Sequence, residues 1–228
     1  MYWIIFIGFF IISLIIQGVL NSRFNKYSKE YLASGLTGRD VAEKMLHENG
    51  IYDVKVTCIA GRLTDHYNPT NKTLNLSNEV YNGSSVASAA VAAHECGHAV
   101  QHAEAYSWLK LRTAMVPAVM YGGNFSTWLI IIGLLLYGLS ETFSGIGFGI
   151  AVVGVVLFSL TTLFAFVTLP VEFNASHSAL VWLESSNIVS GIQHEQAKDA
   201  LKWAARTYVV AALASLANLL YYINILRR

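Results

Sequence analysis

Four apolar stretches dominate this sequence and leave it few ways to fold. From Met1 to Leu20 only Ser13 and Gln17 break the apolar run, and further runs extend from about Pro117 to Leu139, from about Ile146 to Leu169 and from Tyr208 to Leu226. A helix of about 20 apolar residues spans the ~30 Å hydrocarbon layer of a bilayer, where every backbone polar group must be satisfied internally. The pattern therefore predicts a mostly α membrane protein with about four transmembrane helices. Composition agrees: 54% of the 228 residues are apolar and only 13% charged, too oily for an ordinary soluble domain. A net charge of +1 with no basic block argues against a nucleic-acid partner.

The first run lacks a basic start and a small-residue cleavage site, so it reads as a retained anchor rather than a signal peptide. Arg23, Lys26 and Lys29 follow it, which by the positive-inside rule puts the N-terminus outside and the next segment in the cytoplasm. The stretch from Ser140 to Gly145 carries Glu141 and no Lys or Arg. It suits an outer loop, so the second and third runs form a hairpin with both ends on the cytoplasmic side. The fourth run would leave Arg227 and Arg228 outside, against the local charge rule. The chain thus divides into an anchor (1–20), a cytoplasmic α+β domain (21–116), a transmembrane hairpin (117–169) and a C-terminal segment with a last helix or span (170–228).

Within the polar segment, Thr37-Gly38-Arg39-Asp40 reads as a helix start, with Val41, Ala42, Met45 and Leu46 on one apolar face and Asn49-Gly50 as the stop. Val54, Val56 and Cys58 alternate with polar residues, as in a strand with one buried face. Asn68-Pro69 and Asn71 mark a turn, and Thr73 to Ser77 a second strand, whose position resembles that of the strand along whose edge several zinc proteases bind the backbone of an extended peptide. The two cysteines, Cys58 and Cys96, form no disulfide framework, which fits a reducing compartment.

The chemistry concentrates in Ala93-His94-Glu95-Cys96-Gly97-His98-Ala99, an H-E-x-x-H motif preceded by a small-residue helical run that Ser84 or Ser85 can cap. On a helix, residues at i and i+4 lie one above the other, so His94 and His98 can face one ion while Glu95 stands beside it as a base. The competing reading is a chance pairing of two core histidines with a surface glutamate. Catalytic zinc commonly takes three protein ligands. His102 lies eight residues beyond His94 on the same helix, about 12 Å along its axis, and cannot close on that ion. Glu172 follows the hairpin and so returns to the same side as His98. There it is either a third ligand or a carboxylate favoured by the start of a helix with Pro170 in its first turn.

Gly61-Arg62-Leu63-Thr64-Asp65-His66-Tyr67-Asn68-Pro69, Val80 to Val86, His94 to His98 with Gln101-His102, and Leu169-Pro170-Val171-Glu172-Phe173, taken in this order, resemble the YugP-type neutral zinc metallopeptidases of bacterial membranes. The likeness covers most of the chain. That family is similar in turn to the larger gluzincin group of HtpX and CAAX-prenyl-type membrane proteases, whose third ligand is a glutamate in an E-F/Y-x-A-D stretch. Glu172-Phe173-Asn174-Ala175-Ser176 matches it and implies Glu172 as ligand. The resemblance further implies a zincin-like domain facing the cytoplasm, a Zn²⁺ cofactor held by His94, His98 and Glu172, Glu95 as catalytic base, and a polypeptide substrate. Ser176 stands where the wider group has an aspartate bracing a zinc histidine, and Asn174 where an acidic residue is expected. Neutral partners there weigh toward the alternative of a zinc-binding scaffold without hydrolysis. His66, Tyr67, Tyr81 and His177 are candidate donors to a reaction intermediate, each with an ordinary packing role as the competing reading.

Overall fold

The computed structural model describes residues 2–227. In chain order the elements are α1 (Tyr2–Tyr27), α2 (Gly38–Glu48), β1 (Lys55–Ile59), β2 (His66–Asn68), β3 (Thr73–Ser77), α3 (Asn78–Asn82), α4 (Val86–Ala103), α5 (Ser107–Leu139), α6 (Glu141–Ser185) and α7 (Ile192–Leu226). The fold is mostly α with a small three-stranded sheet, and α1, α5, α6 and α7 are each long and apolar enough to cross a membrane. The described residues form two compact units: residues 2–14, 110–169 and 208–227 make one, and residues 15–109 and 170–207 the other.

The first unit is helical and displays its apolar side chains outward, Phe10, Phe125, Trp128, Leu135 and Val156 among them. That surface suits lipid rather than water. Its helices α5 and α6 pack through small residues. A methyl group on Gly133 would meet the Ala151 backbone nitrogen at 2.4 Å, and one on Gly154 would meet the Ser126 carbonyl at 2.9 Å. Without a hydrophobic drive between helices in lipid, such backbone approach is what brings them together.

The second unit holds a core of Phe24, Tyr27, Met45, Leu46, Leu74, Leu76, Val80, Val86, Leu183 and Leu201, all nearly or fully buried. Helix α2 has the expected apolar face. Thr37 caps it in a full capping box, its side chain accepting from the Asp40 N–H while the Asp40 side chain accepts from the Thr37 N–H. Gly50 follows with φ of 72°, the left-handed turn that ends a helix. The sheet order is β1-β3-β2, with β1 parallel and β2 antiparallel to β3.

Several expectations need correction. β3 is the central strand, so both its edges are taken and no peptide can add to it. Cys58 is exposed rather than part of a buried face: it lies near the end of edge strand β1 with its thiol 3.8 Å from Asn78 Oδ1, whereas Val54 and Val56 pack against the core. The expected loop from Ser140 to Gly145 shrinks to Ser140, since Glu141 already begins α6. Pro170 does not open a new helix but lies inside α6, as Pro117 lies inside α5. Long membrane helices tolerate proline where neighbouring groups satisfy the freed carbonyl.

Candidate metal centre

The site is assembled by two helices of the second unit. Ser85 caps α4, its hydroxyl accepting from the Ser88 N–H, and the run of alanines that follows is fully buried. α4 can therefore lie deep in the core and carry His94, Glu95 and His98 with it. Cys96 turns the other way, fully buried and 3.5 Å from the Ala42 carbonyl, and burial pushes its thiol pKa well up. It is a packing residue. Gly97 faces α6, where a Cβ would stand 2.7 Å from the Ala175 carbonyl oxygen. Only glycine permits that contact, which sets the α6 segment around Glu172 over the two imidazoles.

His94 Nε2 lies 3.4 Å and His98 Nε2 3.7 Å from Glu172 Oε2, and the three side chains expose only 14%, 10% and 3% of their surface. The three ligand atoms lie within 4.8 Å of one another. Donors held tetrahedrally at about 2.0–2.2 Å from one centre stand roughly 3.3–3.6 Å apart, so the two shorter spacings have the scale of zinc coordination. Glu172 Oε2 is also buried without a hydrogen-bond partner. An orphaned buried carboxylate oxygen is costly, and a cation between it and the imidazoles would remove that cost. Two imidazoles and a carboxylate are a donor set suited to Zn²⁺. Burial alone would lower the His98 pKa, and the Glu172 carboxylate together with the Glu95 charge outweighs it, so the net shift is upward.

Glu95 is buried, and one of its carboxylate oxygens accepts from the backbone N–H of Tyr67 at 3.1 Å. That N–H points out of the sheet, because in an antiparallel pair alternate residues bond to the neighbour and away from it. Edge strand β2 therefore lies against the motif helix. Asp65 secures the entry to β2 by accepting from the Ser77 N–H at 2.7 Å and its hydroxyl at 3.2 Å. Burial raises the Asp65 pKa.

Both imidazoles have neutral partners on their second nitrogens. Ser176 Oγ is 3.1 Å from His94 Nδ1, and Gln101 Oε1 is 3.1 Å from His98 Nδ1. Asn174, where an acidic residue was expected, accepts from Gln101 Nε2 at 2.7 Å. The Gln101 link is absent from the sequence reading, although its position one turn beyond His98 on the same helix face is a usable signal. His102 lies outside the cluster and contacts the Tyr67 hydroxyl at 2.8 Å. His66 bridges Thr64 and Asn75 within the sheet region, Tyr81 lies under Arg39, and His177 is exposed.

Comparison with known proteins agrees with this geometry. Residues 2–227 match the model of a family described as "Putative neutral zinc metallopeptidase". The chain is 42% identical over 209 residues to "Putative membrane protease YugP" of Bacillus subtilis (strain 168), an alignment covering 92% of this chain and 89% of that protein. No solved structure matches it significantly. With buried histidines and a carboxylate gathered where zinc would bind, and with a match running almost end to end, this chain belongs to the neutral zinc metallopeptidase family.

Proposed function

We propose that this protein is an integral-membrane zinc metalloendopeptidase in which His94, His98 and Glu172 hold Zn²⁺ and Glu95 is the catalytic base. The observation that carries this reading is the orphaned Glu172 oxygen at 3.4 and 3.7 Å from two imidazole nitrogens. Zn²⁺ bound there supplies a Lewis acid that polarises the scissile carbonyl and acidifies water. Glu95 takes the proton from the attacking water and returns it to the leaving amine. The Tyr67 N–H orients the Glu95 carboxylate for that exchange.

The substrates proposed are membrane-associated or misfolded polypeptides at the cytoplasmic face of a bacterial inner membrane. α6 supports this placement. At 45 residues it is about twice as long as a single crossing needs. Glu172 follows the apolar run that ends near Leu169, and Arg23, Lys26 and Lys29 mark the same side as cytoplasmic. The neutral hydroxyl of Ser176 on His94 favours a second reading, a zinc-binding scaffold without turnover.

One experiment separates the two. Detergent-solubilised protein should cleave an unfolded polypeptide such as casein, and Glu95→Gln should bind zinc equally well while leaving it intact. Equal cleavage by both defeats the mechanism. Full zinc occupancy with no turnover by either supports the scaffold.

A further inference from the structure

The hydrogen bonds around Gln101 determine where protons sit in this site. Gln101 is 2% exposed, and its Nε2 lies 2.8 Å from the Val171 carbonyl oxygen and 2.7 Å from Asn174 Oδ1. A backbone carbonyl only accepts, so the atom facing Val171 must be the amide nitrogen, since an oxygen there would set two acceptors against each other. Both amide hydrogens are then used, one on Val171 and one on Asn174. The Gln101 oxygen is left facing His98 Nδ1 at 3.1 Å. An amide oxygen cannot donate, so the hydrogen in that bond belongs to the imidazole.

We propose that Gln101 is a positioning residue that locks His98 in the Nδ1-protonated tautomer, with the Val171 carbonyl as its fixed reference, so that the Nε2 lone pair faces the metal position. The inference rests on the metal-centre reading above. It ties the second ligand to the third, because Val171 immediately precedes Glu172 and the same turn of α6 delivers both the carboxylate and the carbonyl. It also gives Asn174 a purpose. An amide oxygen serves Gln101 as well as an acid would, so a neutral residue suffices there. His94 has no such lock, because the Ser176 hydroxyl can either donate or accept.

Two substitutions separate this role from simple bracing of α6. Gln101→Leu and Gln101→Glu both lose the amide hydrogens given to Val171 and Asn174, but Gln101→Glu keeps an acceptor for His98. Zinc titration of the full chain in detergent should give Gln101→Leu an affinity roughly 10–100-fold weaker than wild type, the range seen when an orienting partner of a metal histidine is removed, and Gln101→Glu one between the two, because one of its oxygens still serves His98 while the other is set against the Val171 and Asn174 acceptors. In zinc-free protein in alkaline buffer, nitrogen-15 NMR of labelled histidines should show His98 protonated on Nδ1 in wild type and Gln101→Glu, and mixed tautomers in Gln101→Leu. The inference is overturned by an Nε2-protonated His98 in wild type, by a Gln101→Leu protein that matches wild type in tautomer and affinity, or by equal loss of zinc in both variants with tautomers unchanged. The wild-type tautomer decides the matter even if Gln101→Leu does not fold. Absence of zinc binding by wild type would count against the metal-centre reading, and the zinc-free tautomer would still test this one.

Discussion

Gly97 and Ala175 meet backbone to backbone, so closely that a methyl group on Gly97 would stand 2.7 Å from the Ala175 carbonyl oxygen and 3.0 Å from its Cα. Gly97 lies between Glu95 and His98 on one helix, and Ala175 lies three residues beyond Glu172 on the other. This contact therefore sets the spacing between the motif histidines and the Glu172 carboxylate. Gly97→Ala should cost about 1–3 kcal/mol of stability, as overpacking in a dense core does, and should weaken zinc binding because the helices must separate. Thermal unfolding and zinc titration of the same sample test this, and a variant matching wild type in both would show that the contact is not what sets the site.

Ser176 tests how far a neutral partner suffices for His94. Removing its hydroxyl with Ser176→Ala should lower zinc affinity by about tenfold, the weaker end of the range for such partners. Ser176→Asp should raise affinity above wild type, because a carboxylate accepting from Nδ1 makes the imidazole a better donor. Competition against a chelator of known affinity measures both. Unchanged affinity in both variants would mean that the 3.1 Å contact has no part in metal binding.

The capping box of α2 makes a prediction about pH. Hydrogen bonds from the Thr37 hydroxyl and then its backbone N–H lower the Asp40 pKa below its ordinary value of 3.8. A carboxylate with a depressed folded-state pKa adds stability that is present above the unfolded value and lost as pH falls through the folded one. Thr37→Ala should therefore cost about 1 kcal/mol at neutral pH, the usual worth of such a cap, and the difference from wild type should shrink in the acid range below 3.8. Chemical denaturation across that range checks it, and a pH-independent difference would contradict the assignment.

What could be read from the sequence followed from local rules. The histidine spacing, the Ser85 cap, the α2 capping box and the apolar runs each depend on neighbours within a turn or on unbroken composition, and each reappears in the structure. Glu172 needed the resemblance as well as the returning hairpin, because nothing local distinguishes it from a glutamate at a helix start. What escaped depends on distant partners. β2 is three polar-rich residues, His66 to Asn68, with no alternation to reveal it, and it exists as a strand because β3 pairs with it. β3 becomes central only through that pairing. Gln101 acquires its role from a carbonyl 70 residues away. Pro170 reads as a helix start by local propensity, and packing overrides it.

The account depends most on Glu172 completing a metal site with His94 and His98. The direct test is zinc content, measured by elemental analysis of dialysed full-length protein in detergent for wild type, Glu172→Ala and His102→Ala. Close to one equivalent should remain in wild type and in His102→Ala, and almost none in Glu172→Ala. Retention of a full equivalent by Glu172→Ala, or its loss from His102→Ala, would contradict the assignment.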